Sequence, residues 1–191
     1  MTVHRFNRDS APATPWKNGG GSTREIACWP PGATLDDFEW RVSIATIAVS
    51  GPFSVFPGVD RTIMLLDGDG MRLKGDGVHA LLDTPYEPFE FSGDEAVECT
   101  LLGGASTDFN VMCRRERWRA EVAVVQDLPV LMERGNHGLV LSLDGNWRVS
   151  GSLLTEGQGV WWADEAHTWR LEPASRGCRL ITVRWTPPSD F

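Results

Sequence analysis

The sequence predicts an all-β protein folded as a sandwich or barrel. Three observations carry this. Short runs rich in β-branched residues recur along the chain. Gly and Pro, 20 and 12 in number, punctuate them. Long stretches of helical periodicity are missing. Short strands separated by turns every ~8–12 residues indicate this class.

The clearest strand is residues 39–50, EWRVSIATIAVS. Side chains alternate across a strand, so Trp40, Val42 and Ile44 share one face and Arg41, Ser43 and Ala45 the other. RTIMLL (61–66) follows and runs into Asp67-Gly68-Asp69-Gly70, a turn, because Gly and Asp tolerate positive φ. MRLK (71–74), a Gly-Asp-Gly turn (75–77) and VHALL (78–82) come next, then PFEF (88–91), AVECTLL (96–102) and FNVMC (109–113). LVLSL (139–143), Asp144-Gly145-Asn146 and WRVSG (147–151) read as a hairpin by turn chemistry. Residues 152–162, 168–173 and 179–185 supply the last strands. A charged stretch ending at Asp127-Leu128-Pro129 suggests a boundary near 114–130, with a short helical insert in 126–136. The expected division is an N-terminal unit, 1–115, and a C-terminal unit, 116–191, packed as one compact domain. A weak internal repeat sets LL-DGDG-MRL beside LSL-DGN-WRV, and FSGDEAVEC beside TEGQGVWW.

Composition excludes several functions. The net charge is −8. The one short basic cluster, Arg114-Arg115-Glu116-Arg117, is broken by an acid and reads as a solvated strand end, so nucleic-acid binding is disfavoured. No run approaches the roughly 20 apolar residues of a membrane helix. The first residues have no apolar stretch behind a basic start, so no secretory signal is read. A cytoplasmic protein without nucleic-acid or membrane partners is expected. Cys28, Cys99, Cys113 and Cys178 lack C-x-x-C spacing and read as buried thiols, with a widely spaced zinc site as the alternative.

Residues 51–70, GPFSVFPGVDRTIMLLDGDG, have the glycine spacing of the first cupin motif. Pro57, Val59 and Ile63 stand where that motif resembles His, His and Glu. None offers a lone pair on a side-chain N, O or S atom to a metal. FSGDEAVEC (91–99) resembles the second motif, with its usual His position near Ala96. The competing reading is a generic hairpin with glycine turns. His4, His79, His137 and His167 are scattered and read as surface or structural residues. No metal or other cofactor is expected.

The densest polar stretch is Trp16-Lys17-Asn18-Gly19-Gly20-Gly21-Ser22-Thr23-Arg24-Glu25-Ile26-Ala27. Its glycines permit close backbone approach, and successive N–H groups in such a loop can form an anion-binding nest. The competing reading is a connector loop. This stretch, followed by FEWRVSIA (38–45), GPFSVFPGVDR (51–61) and DFNVMCRR (108–115), strongly resembles the HutD/Ves family over about residues 14–115. The resemblance implies a double cupin (bicupin) of two fused β-barrel or jelly-roll units without a catalytic metal. It also implies a link to histidine utilisation, with binding of N-formylglutamate and limitation of pathway flux. The Ves branch is linked instead to stress and cold response, and the motifs fit either branch.

The residues themselves point the same way. Arginine suits carboxylates because its planar fork donates two parallel hydrogen bonds. Trp16, Asn18, Gly19, Gly20, Thr23, Arg24, Glu25, Arg41, Ser43, Arg61 and Asn110 are therefore the candidate binding residues for a small carboxylate. The competing reading makes Glu25, Asp60 and Asp108 internal partners of these arginines. Trp16 and Trp40 are candidate pocket walls or core. A metal-independent isomerase or lyase is the enzymatic alternative, with Glu25 and Lys17 as the acid–base candidates and the sole tyrosine, Tyr86, in a loop-like stretch. Catalytic residues are not assigned. A homodimer through a sheet edge is expected by analogy alone.

Overall fold

The computed structural model describes residues 3–188; the outermost positions of the two expected units (1, 2 and 189–191) lie outside the described residues. Among the described residues all regular elements are strands. In chain order they are β1 (Val3–Asn7), β2 (Ala13–Pro15), β3 (Gly21–Trp29), β4 (Trp40–Ile47), β5 (Gly51–Pro52), β6 (Val59–Asp67), β7 (Met71–Lys74), β8 (His79–Leu82), β9 (Phe89–Ser92), β10 (Glu98–Leu101) and β11 (Ser106–Arg114). Then come β12 (Arg119–Gln126), β13 (Val130–Gly135), β14 (His137–Asp144), β15 (Trp147–Val149), β16 (Ser152–Leu154), β17 (Gln158–Trp162), β18 (His167–Pro173) and β19 (Arg179–Thr186). The short helix expected in 126–136 is strand β13 instead, held by antiparallel pairing with β18.

The described chain forms two compact units, residues 12–119 and residues 3–11 with 120–187. Residues 3–11 thus group with the second unit, not with 12–115, because β1 pairs along β17 from Val3↔Trp162 to Asn7↔Gln158. The first unit has one sheet in the order β2-β3-β4-β11-β6-β9 and another in the order β5-β10-β7-β8. The second has β1-β17-β14-β19-β12 and β13-β18-β15-β16. The orders β4-β11-β6-β9 and β12-β19-β14-β17 correspond strand for strand. So do β5-β10-β7-β8 and β13-β18-β15-β16. The internal repeat is therefore a repeat of topology.

That correspondence corrects two expectations. Asp144-Gly145-Asn146 does not close a hairpin: β14 and β15 lie in different sheets, as β6 and β7 do. Turn chemistry reports a reversal, not which strands then pair. The segment matching FSGDEAVEC, between β9 and β10, is the one between β17 and β18, WWADEAHTW. TEGQGVWW occupies the β16–β17 junction instead. At the β6–β7 crossing Gly68 is required: its φ is +100°, and a Cβ there would lie 2.5 Å from the Ala105 carbonyl oxygen.

Each unit has its own apolar core. In the first, Ile47, Ile63, Leu65, Met71, Leu73 and Val97 pack together. In the second, Met132, Val140, Trp147, Val160, Trp162 and Leu180 do so. The Arg114–Arg117 cluster is more than a solvated strand end. Arg114 donates to the carbonyls of Asp36, Phe38 and Pro57, and Arg115 to Asp60 and Ser92 while pairing with Asp94. Hydrogen bonds from the Gly58 N–H, the Ser92 hydroxyl and the Arg115 guanidinium hold the Asp94 carboxyl down at about 2.

Candidate functional site

The large sheet of the first unit carries a polar stripe on one face. Alternation on β4 presents Arg41, Ser43 and Ala45 together, as its sequence predicts. On β11 the matching face carries Asp108, Asn110 and Met112, registered against Ala45, Ser43 and Arg41 respectively. On β6 it carries Arg61, opposite Met112 on one side and Phe91 of β9 on the other. On β3 it carries Thr23 and Glu25, opposite Ala45 and Ser43; a bulge between Glu25 and Ala27 ends that alternation. These side chains line one cleft of about 860 Å³, completed by Trp16, Lys17, Asn18, Phe53 and Phe56 among others. Ligand clefts commonly measure ~300–1,000 Å³.

Arg61 dominates its electrostatics. The residue is 7% exposed. Its guanidinium carbon lies 4.9, 5.4 and 5.7 Å from the ring centroids of Phe91, Phe53 and Phe56, an aromatic surround that suits a cation. One Nη reaches the Ser54 carbonyl at 3.5 Å, the long limit of a hydrogen bond, and the Nε–H has no protein partner. Burial lowers the guanidinium to about 10; Asp108 opposes this and Arg41 adds to it. Arg61 stays a cation at neutral pH.

Arg41 differs. Its Nε donates to Oε2 of Glu25 at 2.8 Å, and an Nη reaches the Ser43 hydroxyl at 3.4 Å. Asp108 is 2% exposed, and burial pushes its carboxyl up to about 7, with Arg61 offsetting part of the rise. Asn110 is 8% exposed and its Oδ1 lacks a protein donor. The competing internal pairs are thus sorted by the fold. Glu25 pairs with Arg41. Asp60 belongs to Arg115. Asp108 acts on Arg61 through the field.

Of the sequence candidates, Trp16, Asn18, Thr23, Glu25, Arg41, Ser43, Arg61 and Asn110 line the cleft. Arg24 does not: it alternates with Thr23 and Glu25 and stands opposite Ile44, on the other face. Gly19 is absent from the lining, and Gly20 borders a neighbouring cavity of about 160 Å³. Their N–H groups are committed within the loop, Gly19 to the Trp16 carbonyl and Gly20 to Asn18 Oδ1, so they make no anion nest. The loop instead positions Trp16. Gly21 permits that approach, since a Cβ there would lie 3.0 Å from the Trp16 ring, and Trp16 Nε1 donates to Thr23 Oγ1 at 2.8 Å. Trp40 is core, 0% exposed.

Phe53 and Phe56 also line the cleft, although GPFSVFPG in the sequence points only to metal-motif spacing and to the family resemblance. The sequence presents Asp108 only as an ion-pair partner, although its i, i+2 relation to Asn110 puts both on one face. Pro57 is an exposed loop residue, Val59 packs with Phe38 and Met112, and Ile63 sits in the main core. Arg61 lies between Val59 and Ile63 in the alternation. Among the described residues no three His, Cys, Asp or Glu side chains cluster as a metal site.

The second unit fills the equivalent place. Gly138 is paired to Trp162 as Arg61 is paired to Phe91. A Cβ on Gly138 would lie 2.2 Å from the Trp162 ring, so the indole occupies the space over the glycine. Where one unit has a buried arginine beneath a cleft, the other has a glycine under tryptophan.

Fold and cleft define the class: an all-β double cupin whose first unit holds a polar, arginine-bearing cleft. The chain belongs to the HutD family, whose model matches residues 8–180. It is 43% identical to Protein Ves of Cronobacter sakazakii over 87% of this chain and 90% of that one. It is 32% identical to HutD of Pseudomonas fluorescens SBW25, whose structure superposes with a TM-score of 0.82 over 97% of this chain and 100% of that one. Oxalate decarboxylase of Lactobacillus farciminis shares the fold alone, with 8% identity and a TM-score of 0.69 over 96% of this chain and 86% of that one.

Proposed function

We propose that this protein binds a small carboxylate in the first-unit cleft, with N-formylglutamate or a related intermediate of histidine degradation as the ligand. Binding serves regulation of that pathway. The observation that carries the reading is Arg61: a cation that lines the cleft yet is kept almost dry, ringed by three phenylalanines, with a buried N–H donor that no protein group meets. A buried charge without full pairing is costly unless something else satisfies it. Hydrogen bonds to charged groups contribute ~1.5–3 kcal/mol each, so two or three of them reach micromolar affinity. Arg61, Arg41, Ser43 and Asn110 match a ligand with carboxylates and an amide in kind. Membership of the HutD family, and likeness to HutD of Pseudomonas fluorescens SBW25 in its formate-condition structure, support the choice of ligand. A cytoplasmic location accords with four cysteines outside any disulfide; among the described residues no helix is long and apolar enough to cross a membrane.

Thermal shift tests the ligand. N-formylglutamate at millimolar concentration raises the melting temperature and its uncharged diamide does not. No shift with N-formylglutamate, glutamate or formate contradicts the reading. One observation favours a second reading, a metal-independent acid–base enzyme: Asp108 lines the cleft with a carboxyl near 7, the range suited to proton transfer. Turnover of a bound carboxylate, lost in Asp108→Asn with binding retained, would establish it.

A further inference from the structure

Asp108 is a buried acid in the wall of a cleft read as an anion site. It lies two residues from Asn110 on one face of β11, and its cross-strand neighbours are Ala45 and Leu65, whose side chains offer no hydrogen bond. As a carboxylate it would cancel the charge of Arg61. Arg41 is already matched by Glu25, so the strands lining the cleft would then hold no net positive charge for an incoming anion, and only Lys17 of the loop would add one. As a neutral acid it leaves Arg61 available and offers an O–H donor of its own.

We infer that Asp108 is itself a ligand-binding residue: its protonated carboxyl donates a hydrogen bond to the bound anion, so the site takes up anion and proton together. The inference rests on the carboxylate reading above. The charged groups that share the cleft with Asp108 are Arg61 from β6, Arg41 from β4, Glu25 from β3 and Lys17 from the loop between β2 and β3; of these Arg61 acts on it directly. Cys99 of β10 is within its electrostatic reach, and burial pushes that thiol up to about 12, so it stays neutral. Desolvation by the protein already favours the proton on Asp108. An anion arriving on Arg61 adds a like charge beside it, which favours the proton further.

The balance is simple. Below the free midpoint of Asp108, the anion binds an acid that is already neutral. Between that midpoint and the higher midpoint of the bound state, each anion bound carries one proton from solvent to the Asp108 carboxylate. Affinity therefore falls up to about tenfold per pH unit on the alkaline side, between the free and bound midpoints.

Calorimetry of the full chain with N-formylglutamate, and separately with formate, tests this. Titrations from about pH 6 to about pH 8.5 in Tris and in HEPES, which differ in ionisation enthalpy, count the protons taken up. The expected result is uptake approaching one proton per anion on the alkaline side and none on the acid side. Asp108→Asn retains an N–H donor, binds with an affinity flat across that range, and shows no uptake. Equal heats in both buffers for the unmodified protein overturn this inference and leave the carboxylate reading standing. Proton uptake that persists in Asp108→Asn also overturns it. No heat with either anion removes the carboxylate reading and this inference with it.

Discussion

Arg41 donates through Nε to Glu25 at 2.8 Å, from the strand next to the one that carries Glu25. This pair makes the two arginines of the cleft unequal. Arg41 is internally matched, whereas Arg61 sits among phenyl rings. Glu25→Gln should therefore release Arg41 and remove a negative charge from the cleft. With Glu25 half-exposed, the stability change stays under about 1 kcal/mol. Anion affinity rises a few-fold, measured as the dissociation constant for N-formylglutamate. Unchanged or weaker affinity would show that Glu25 itself serves the ligand.

Asp108 should leave a pH signature without any ligand. Its folded carboxyl lies near 7, above the ordinary value of 3.8. The native state thus holds this proton more tightly than the unfolded chain. The stability it contributes is fully present below 3.8 and is lost as pH rises through about 7. The melting temperature of the unmodified protein should decline across that window. Asp108→Asn should flatten the decline and melt several degrees higher on the alkaline side; ~1 kcal/mol corresponds to about 2–4 °C at this chain length. Parallel melting curves for the two proteins would contradict the assignment.

The three glycines after Asn18 should differ in tolerance. A Cβ on Gly21 would lie 2.3 Å from the Thr46 carbonyl and against the Trp16 ring. Gly21→Ala should cost about 1–3 kcal/mol by overpacking and weaken anion binding by displacing Trp16 from the cleft. Gly19 has φ +71° with open space around it. Gly19→Asn should be nearly silent, because Asn adopts the left-handed region readily. Thermal melts of both variants check the contrast, and equal losses would count against the positioning role of this loop.

Much of the fold was legible in the sequence, and the reasons are physical. Period-two alternation in 39–50 put Arg41, Ser43 and Ala45 on one face, and the Gly-Asp turns marked β6–β7 and β14–β15. Strand partnership was not legible. The pairing of β1 with β17 spans almost the whole chain, and a DGN turn reads alike whether its strands pair or cross to another sheet. In the site, Arg41, Arg61 and Asn110 were found because polar residues stood out on strands. Arg24 was misplaced because one position of alternation sends a side chain to the other face. Nothing in the sequence singles out Phe53 and Phe56, since a cation held over a ring is visible only in three dimensions. The Arg61 site and its closed counterpart at Gly138 and Trp162 needed the register of both units.

The central claim is that Arg61 anchors a carboxylate. Isothermal titration of N-formylglutamate into the unmodified protein and into Arg61→Met tests it most directly, since Met keeps an apolar chain among the three rings without the charge. Saturable binding of micromolar order in the first, weakened at least about tenfold in a folded Arg61→Met protein, is the predicted result. Equal binding by the two proteins, or no heat in the unmodified protein at millimolar ligand, would contradict it.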